Sequence, residues 1–264
     1  MRTFVHLHLH TEYSIVDGIL TVPALIEAVS RGNMPAVAVT DQGNLFSMVK
    51  FYRAAMAAGV KAIIGLDAWV QEELEEREPA RVVLLCQDAT GYRHLLQLVS
   101  RSYTEGQARG APIIQRAWLE KASAGLIALS GGMKGDVGRA LLNGQQDKAR
   151  RLLDWWLEYF PDRYYLQLQR TGRPGEDQYL QRAVALAAVA DVPVVATNEV
   201  CFLSRDDFEA HEARVCIQEG RTLADQRRTR RYSNQQYLRS PEEMASLFQD
   251  FPQALENAVE IARR

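Results

Sequence analysis

The chain has 264 residues, 47% of them hydrophobic and 24% charged, with a formal net charge of −2. That is the composition of a globular protein with a sizeable core, one large domain or two small ones; it excludes a chain that coats nucleic acid or an acidic membrane. The three cysteines, Cys86, Cys201 and Cys216, stand far apart in sequence, so neither a disulfide framework nor an all-cysteine zinc site is expected, and a reducing cytoplasm fits best.

The N-terminus lacks the apolar stretch of a signal peptide, and the best bilayer candidate, 183–190, stops at Asp191. From there short β-rich runs alternate with helical spacing. Strands are expected at Phe4–His8, Ala36–Thr40, Ala62–Leu66, Val82–Cys86, Leu126–Leu129, Tyr164–Leu168 and Val194–Thr197. Helices are expected at Val22–Arg31, Leu45–Ala58, Tyr92–Ser102, Lys148–Phe160 and Asp177–Ala190. Gly32, Gly59 and Gly144 stand just past helix ends, and Pro35 and Pro193 just before strands. Strands separated by helices predict parallel pairing in an α/β fold, either an open sheet or a closed barrel. No Gly-x-Gly-x-x-Gly follows the first strand, so a dinucleotide fold is disfavoured.

Two segments stand apart. Glu72–Glu78 is acidic and reads as a solvated hairpin or loop. Arg221–Arg239 is rich in arginine and reads as a solvated connector, with a contact surface for another domain or for nucleic acid as the alternative. It leads into Ser240-Pro241-Glu242-Glu243, an N-cap serine, a proline at N1 and a glutamate at N3. A last helical stretch, Ala254–Arg264, has no stop signal, as expected for a piece of a longer protein. Trp156 and Phe160, four apart on one helix, read as a core pair rather than a base-stacking patch.

His6, His8 and His10 are three of five histidines and alternate along one strand, which places them on one face. Clustered imidazoles suggest a metal site; a hydrogen-bonded polar strand end is the plainer alternative. Polar groups follow most of the strands, Asp41 and Gln42, Asp67, Gln87 and Asp88, Ser130, Arg170 and Thr171, Asn198 and Glu199. In a parallel barrel such ends converge on the face where active sites sit. Asp17, Asp41, Asp67 and Glu199 are the hard-ligand candidates, and ions held there would polarise a phosphoryl oxygen and acidify a bridging water.

The string His8-Leu9-His10-Thr11-Glu12-Tyr13-Ser14 with Val16-Asp17-Gly18 resembles the first motif of the PHP (polymerase and histidinol phosphatase) family, and Ala38-Val39-Thr40-Asp41-Gln42-Gly43-Asn44-Leu45 resembles the second. The resemblance is closer to the branch that opens the bacterial replicative DNA polymerases, where strings like Val49-Lys50-Phe51-Tyr52, Ala196-Thr197-Asn198-Glu199 and Tyr232-Ser233-Asn234-Gln235-Gln236-Tyr237 also occur. It implies a distorted seven-stranded (β/α)7 TIM-like barrel of PHP type, residues 1–220, with a C-terminal extension, residues 221–264, made of the arginine-rich connector and helices that lead to the polymerase core. The polymerase's catalytic carboxylates would lie beyond Arg264, so no catalytic residue is assigned in this chain.

The resemblance also implies a ligand set. His8, His10 and Asp17 match it; Asp67 stands for a glutamate, Glu199 for an aspartate and Cys201 for a histidine. Gln42, Gly132 and Thr171 replace ligands outright. His6 and Asp41 are implied as supporting residues. The set predicts a partial or vestigial site, holding Zn2+, Mn2+ or Mg2+ weakly or no ion. The role expected is a structural and docking module of the polymerase, with the proofreading exonuclease (epsilon) subunit and the polymerase core of the same chain as partners, DNA reached through that polymerase, and no membrane. The alternatives are an active metal-dependent phosphoesterase (a 3′–5′ exonuclease or pyrophosphatase) and a free-standing small-molecule phosphatase.

Overall fold

The computed structural model describes residues 3–72, 78–108, 110–225 and 227–264. Its strands are β1 (Ala36–Val39), β2 (Lys61–Gln71), β3 (Ala80–Cys86), β4 (Gln107–Ala108), β5 (Ala111–Gln115), β6 (Leu126–Leu129), β7 (Tyr164–Leu168) and β8 (Val194–Ala196). They form one sheet in the order β4-β5-β2-β3-β6-β7-β8, with β1 also paired to β2. The runs that are apolar throughout, such as Ala36–Val39 and Leu126–Leu129, are buried at every position, as strands covered on both faces must be.

The first expected strand, Phe4–His8, forms no regular strand, yet residues 6–10 link β1 to the segment that follows β8. His10 N donates to Val200 O (2.8 Å) and Val200 N to His8 O (3.0 Å), while Ala38 N donates to His6 O (2.8 Å) and Thr40 N to Leu9 O (2.9 Å). The seven expected strand positions therefore follow one another along one hydrogen-bonded circuit in a mixed α/β fold.

Pairing departs from the all-parallel expectation at β3, which runs antiparallel to both β2 and β6. Eight residues, 72–79, separate β2 from β3, too few for the crossover that a parallel pair needs. The acidic run Glu72–Glu78 falls largely here, and its residues 73–77 lie outside the described residues. β2 also runs on to Gln71, where β5 pairs with its far end, so Asp67 sits within a strand and not after one.

The expected helices are present as Val22–Arg31, Met48–Ala57, Ala89–Thr104, Gln146–Tyr159 and Glu176–Ala190. Gly59 and Gly144 take the left-handed conformation after their helices, but Gly32 does not; Asn33, one residue later, does so instead. Ser240 and Glu243 form the expected reciprocal cap of the helix Pro241–Leu247. Trp156 and Phe160 are buried, with ring centroids 5.5 Å apart. The last helix, Pro252–Arg263, lies against β8, where Asn257 Nδ2 donates to Val194 O (2.8 Å), and Lys61 Nζ at the start of β2 donates to Ala262 O (2.6 Å). Among the described residues no helix is long and apolar enough to cross a membrane.

Candidate metal centre and its internal counter-ions

Residues 8 and 10 point from one edge of the circuit toward Asp67 of β2. His8 Nε2 donates to Asp67 Oδ2 (2.8 Å), and His10 Nε2 donates to the same oxygen (3.1 Å). His10 Nδ1 donates to Asp17 Oδ1 (2.9 Å), which Ser14 Oγ also reaches (2.8 Å). A carboxylate only accepts, so both His10 nitrogens carry protons and the ring is an imidazolium. Burial alone lowers its pKa, but the Asp17 charge and hydrogen bond outweigh that and raise it to about 10. Burial would raise the Asp17 pKa, yet the His10 charge holds the carboxyl far below its usual range. His8 is the opposite case. Its Nδ1 accepts from Gln167 Nε2 (2.7 Å), so the ring is neutral, and burial pushes its pKa well down.

The remaining carboxylates face cations of the chain itself. Arg81, on β3, grips Asp67 with both arms: Nε donates to Oδ1 (2.6 Å) and Nη2 to Oδ2. The antiparallel register sets Arg81 opposite Trp69 and diagonally across from Asp67, on the same face. Arg81 also stacks on the Trp69 ring, 4.6 Å from its centroid. Glu199 accepts from Lys134 Nζ at Oε1 (2.8 Å) and from Arg173 Nη1 at Oε2 (2.6 Å). Burial would raise its pKa, but Arg173 and Lys134 hold it far below the ordinary range. Glu199 adopts φ 45°, a left-handed backbone that a non-glycine residue keeps only where its surroundings impose it. Arg173 also pairs with Glu176 (3.1 Å). Asp17, Asp67, Glu176 and Glu199 are thus matched by the His10 imidazolium, Arg81, Lys134 and Arg173, four charges against four.

Cys201 is buried beside this group, its thiol pushed up to about 11 by burial and the nearby Asp17 charge. Two sets of donors lie within 4.8 Å of one another, His8, His10 and Asp67, and His10, Asp17 and Cys201. Their lone pairs are already engaged. Both nitrogens of each histidine are hydrogen-bonded, and both Asp67 oxygens lie in the Arg81 fork. Such a donor set does not fit a centre of two or three hard cations, which needs free carboxylate oxygens and neutral imidazoles.

Other positions flagged in the sequence make different contacts. His6 Nε2 bonds to Arg239 O (2.9 Å), and burial lowers its pKa to about 4. The Asp41 carboxylate accepts from Thr11 N (2.6 Å), Thr11 Oγ1 (2.9 Å) and Ser47 Oγ (2.6 Å), so it anchors two turns, and Asp41 meets the donors above through its backbone, where its carbonyl accepts from Asp67 N (3.2 Å). Asp88 caps the helix Ala89–Thr104, and Arg170 pairs with Asp250 (2.7 Å). Thr171 Oγ1 donates to Glu176 (2.5 Å). Where a side chain at Gly132 would begin, Gln169 Oε1 is only 2.8 Å away. Gln42 pairs with Asp67 through the backbone.

Most of the arginine-rich run is solvated as expected, with Arg221, Arg227, Arg230 and Arg231 exposed, while Arg239 and the Arg228 side chain are buried. Arg228 is buried in a pair with Glu212 (2.5 Å), Arg221 pairs with Asp225 (3.1 Å), and Arg231 lies 3.9 Å from Glu219. Within it Tyr232 donates to Asp17 Oδ2 (2.8 Å), and Asn198 Nδ2 donates to Gln235 O (2.9 Å) and Tyr237 O (2.8 Å). The segment 232–237 is therefore laced onto the charged cluster. Arg81, Lys134, Arg173 and Tyr232 were not foreseen as site residues; none carries a spacing signal that ties it to its carboxylate.

The PHP domain family matches residues 6–171 of the chain. This chain belongs to the PHP family. Among curated proteins it is 55% identical over 262 residues to the DNA polymerase III subunit alpha of Pseudomonas aeruginosa and 49% identical over 261 residues to that of Escherichia coli. Each alignment takes in 99% of this chain but 22% of the relative, so the chain spans about a fifth of the length of these polymerases. A solved structure from Bifidobacterium adolescentis, named as a metal-dependent phosphoesterase, superposes with a TM-score of 0.50 at 14% identity, covering 75% of this chain and 86% of that one. At that identity the likeness speaks for the PHP fold alone.

Proposed function

We propose that this chain is the PHP module of a bacterial DNA polymerase III alpha subunit, working there as a structural and docking platform for the proofreading exonuclease (epsilon) subunit and not as a hydrolase. The near-complete alignment with two alpha subunits supports the parent assignment. The observation that carries the role is the set of internal cations: Arg81 holds Asp67, and Lys134 with Arg173 hold Glu199. A hydrolytic PHP centre would need those oxygens for its ions. In this reading residues 1–220 form the barrel domain and residues 221–264 lead toward the polymerase core. The metal-ligand positions His8, His10, Asp17, Asp67, Glu199 and Cys201, with His6 and Asp41 behind them, serve stability. DNA is met through the parent polymerase, in the cytoplasm.

A second reading, a residual phosphoesterase, is favoured by the two three-donor groups within 4.8 Å. One assay separates the two. The purified chain is offered p-nitrophenyl phosphate and a single-stranded oligonucleotide with Mn2+ or Zn2+, and gel filtration follows its co-elution with the exonuclease subunit. Co-elution without turnover is expected; turnover that disappears in His10→Ala contradicts the platform reading.

A further inference from the structure

Gly220, at φ 64°, ends the helix Phe208–Glu219 and turns the chain back along it. Contacts of the returning stretch, 221–232, hold it there. Arg221 N donates to Cys216 O (2.9 Å), Arg228 pairs with Glu212 (2.5 Å), and the Tyr232 ring meets the buried His211 ring edge-on, 4.7 Å between centroids. A groove of about 420 Å³ opens beside this stretch, with Gln218, Glu219, Arg221, Thr229, Arg231 and Tyr232 in its walls.

Five arginines and two carboxylates fall between Gln218 and Tyr232, with no lysine. Arg228 is engaged by Glu212 from outside the stretch. The other four arginines share the two carboxylates. Asp225 meets both Arg221 (3.1 Å) and Arg227 (3.1 Å), Glu219 lies 3.9 Å from Arg231, and Arg230 has no ion pair among the described residues. The Asp225 and Glu219 side chains are only 16% and 21% exposed, against 87% for Arg227 and 68% for Arg231. Water therefore meets guanidinium groups and not carboxylates, although the whole chain carries a net charge of −2. A guanidinium fork matches phosphate oxygens, and hydroxyl and amide donors such as those of Thr229 and Gln218 contact phosphates as well. The groove has the volume of a small-ligand site, with room for a stretch of single strand and not for a duplex. Protein interfaces centre on apolar anchors, whereas among the described residues of 221–232 Leu223 is the one exposed large apolar side chain.

We propose that the stretch 221–231 and the groove beside it hold the phosphate backbone of a single DNA strand. Arg221 and Arg231 line the groove, Arg227 and Arg230 extend the positive surface beyond it, and the bases are not read. The proposal rests on the parent-polymerase reading for the identity of the polymer and is independent of the docking role.

The test is the fluorescence anisotropy of a labelled oligo-dT strand titrated with this chain at 50–200 mM salt. Contacts to about three phosphates give a slope of log K against log[salt] of about −2. Arg230→Glu and Arg231→Glu are compared with Arg151→Glu, an exposed arginine on the helix Gln146–Tyr159. Expected are a loss of tenfold or more and a shallower salt slope for the first two, and no change for the third. Unchanged melting temperatures show that the exposed substitutions leave the fold intact. Absence of wild-type binding at about 100 μM protein and 50 mM salt overturns the proposal, since even non-specific contacts reach that range. So does an equal loss in all three variants, or equal competition by a duplex of the same length. Loss of exonuclease co-elution in Arg230→Glu and Arg231→Glu with DNA binding intact assigns the surface to a protein and also overturns it. Failure of the parent reading shows separately, as a wild-type chain that does not co-elute with the exonuclease subunit.

Discussion

Removing Arg81 isolates the part that internal cations play. Arg81 and Asp67 are both buried, joined through two hydrogen bonds, and Arg81 also stacks on Trp69. Truncating one partner of a buried pair usually costs about 3–5 kcal/mol, because the other charge stays behind uncompensated. Here the His8 and His10 N–H groups still reach Asp67 Oδ2, which places Arg81→Ala near the lower end, at about 3 kcal/mol with the stacking loss included. For a chain of this size that is a fall of about 6–12 °C in melting temperature. The assay is urea and thermal unfolding followed by circular dichroism, with Arg81→Lys and the double variant Arg81→Ala/Asp67→Asn alongside. The lysine keeps the charge but not the fork and recovers only part of the loss. The double variant, which removes the stranded charge, is more stable than Arg81→Ala alone. A loss under about 1 kcal/mol for Arg81→Ala would refute the claim that this ion pair supports the fold.

Two further outcomes follow from the same cluster. His10 is protonated in the fold up to about pH 10 but only to about 6.5 when unfolded, so its pairing with Asp17 stabilises fully below pH 6.5 and fades as pH rises toward 10; the stability gap between wild type and His10→Gln, measured by urea titration at several pH values, therefore narrows over that window, and a gap that widens contradicts the assignment. Glu199→Gln leaves Arg173 and Lys134 facing each other without their shared carboxylate, for an expected loss of about 2–4 kcal/mol in the same unfolding experiment, whereas an unchanged midpoint would mean that solvent already compensates these charges.

Much of the site was legible because its signals are local. His8 and His10 alternate on one extended segment, which places them on one face, while Asp17, seven residues on, entered through the resemblance of the 8–18 string to the PHP motif and does bond to His10. The strand positions were legible for the same reason: short runs apolar on both faces, bounded by proline and glycine. What was not legible depends on register. Arg81 reaches Asp67 only because β3 turns back antiparallel on β2, and the sequence suggested parallel pairing. Lys134, at the end of a short 3-10 turn, and Arg173, on a loop, reach Glu199 from 65 and 26 residues away, where a basic residue ordinarily means a solvated surface. His6 follows the alternation of its neighbours, yet it bonds to Arg239 O and not to the cluster, because the carbonyl of a distant segment captured it.

The central claim is that side-chain cations take the places where a hydrolytic PHP centre would need metal. Metal content tests it most directly: the purified chain is incubated with zinc and then manganese, desalted, and assayed by elemental analysis. The account predicts less than about half an equivalent per chain, with Arg81→Ala retaining more zinc than the wild type because Asp67 is then free to ligate. Two or more equivalents retained by the wild type would contradict it and put hydrolysis first.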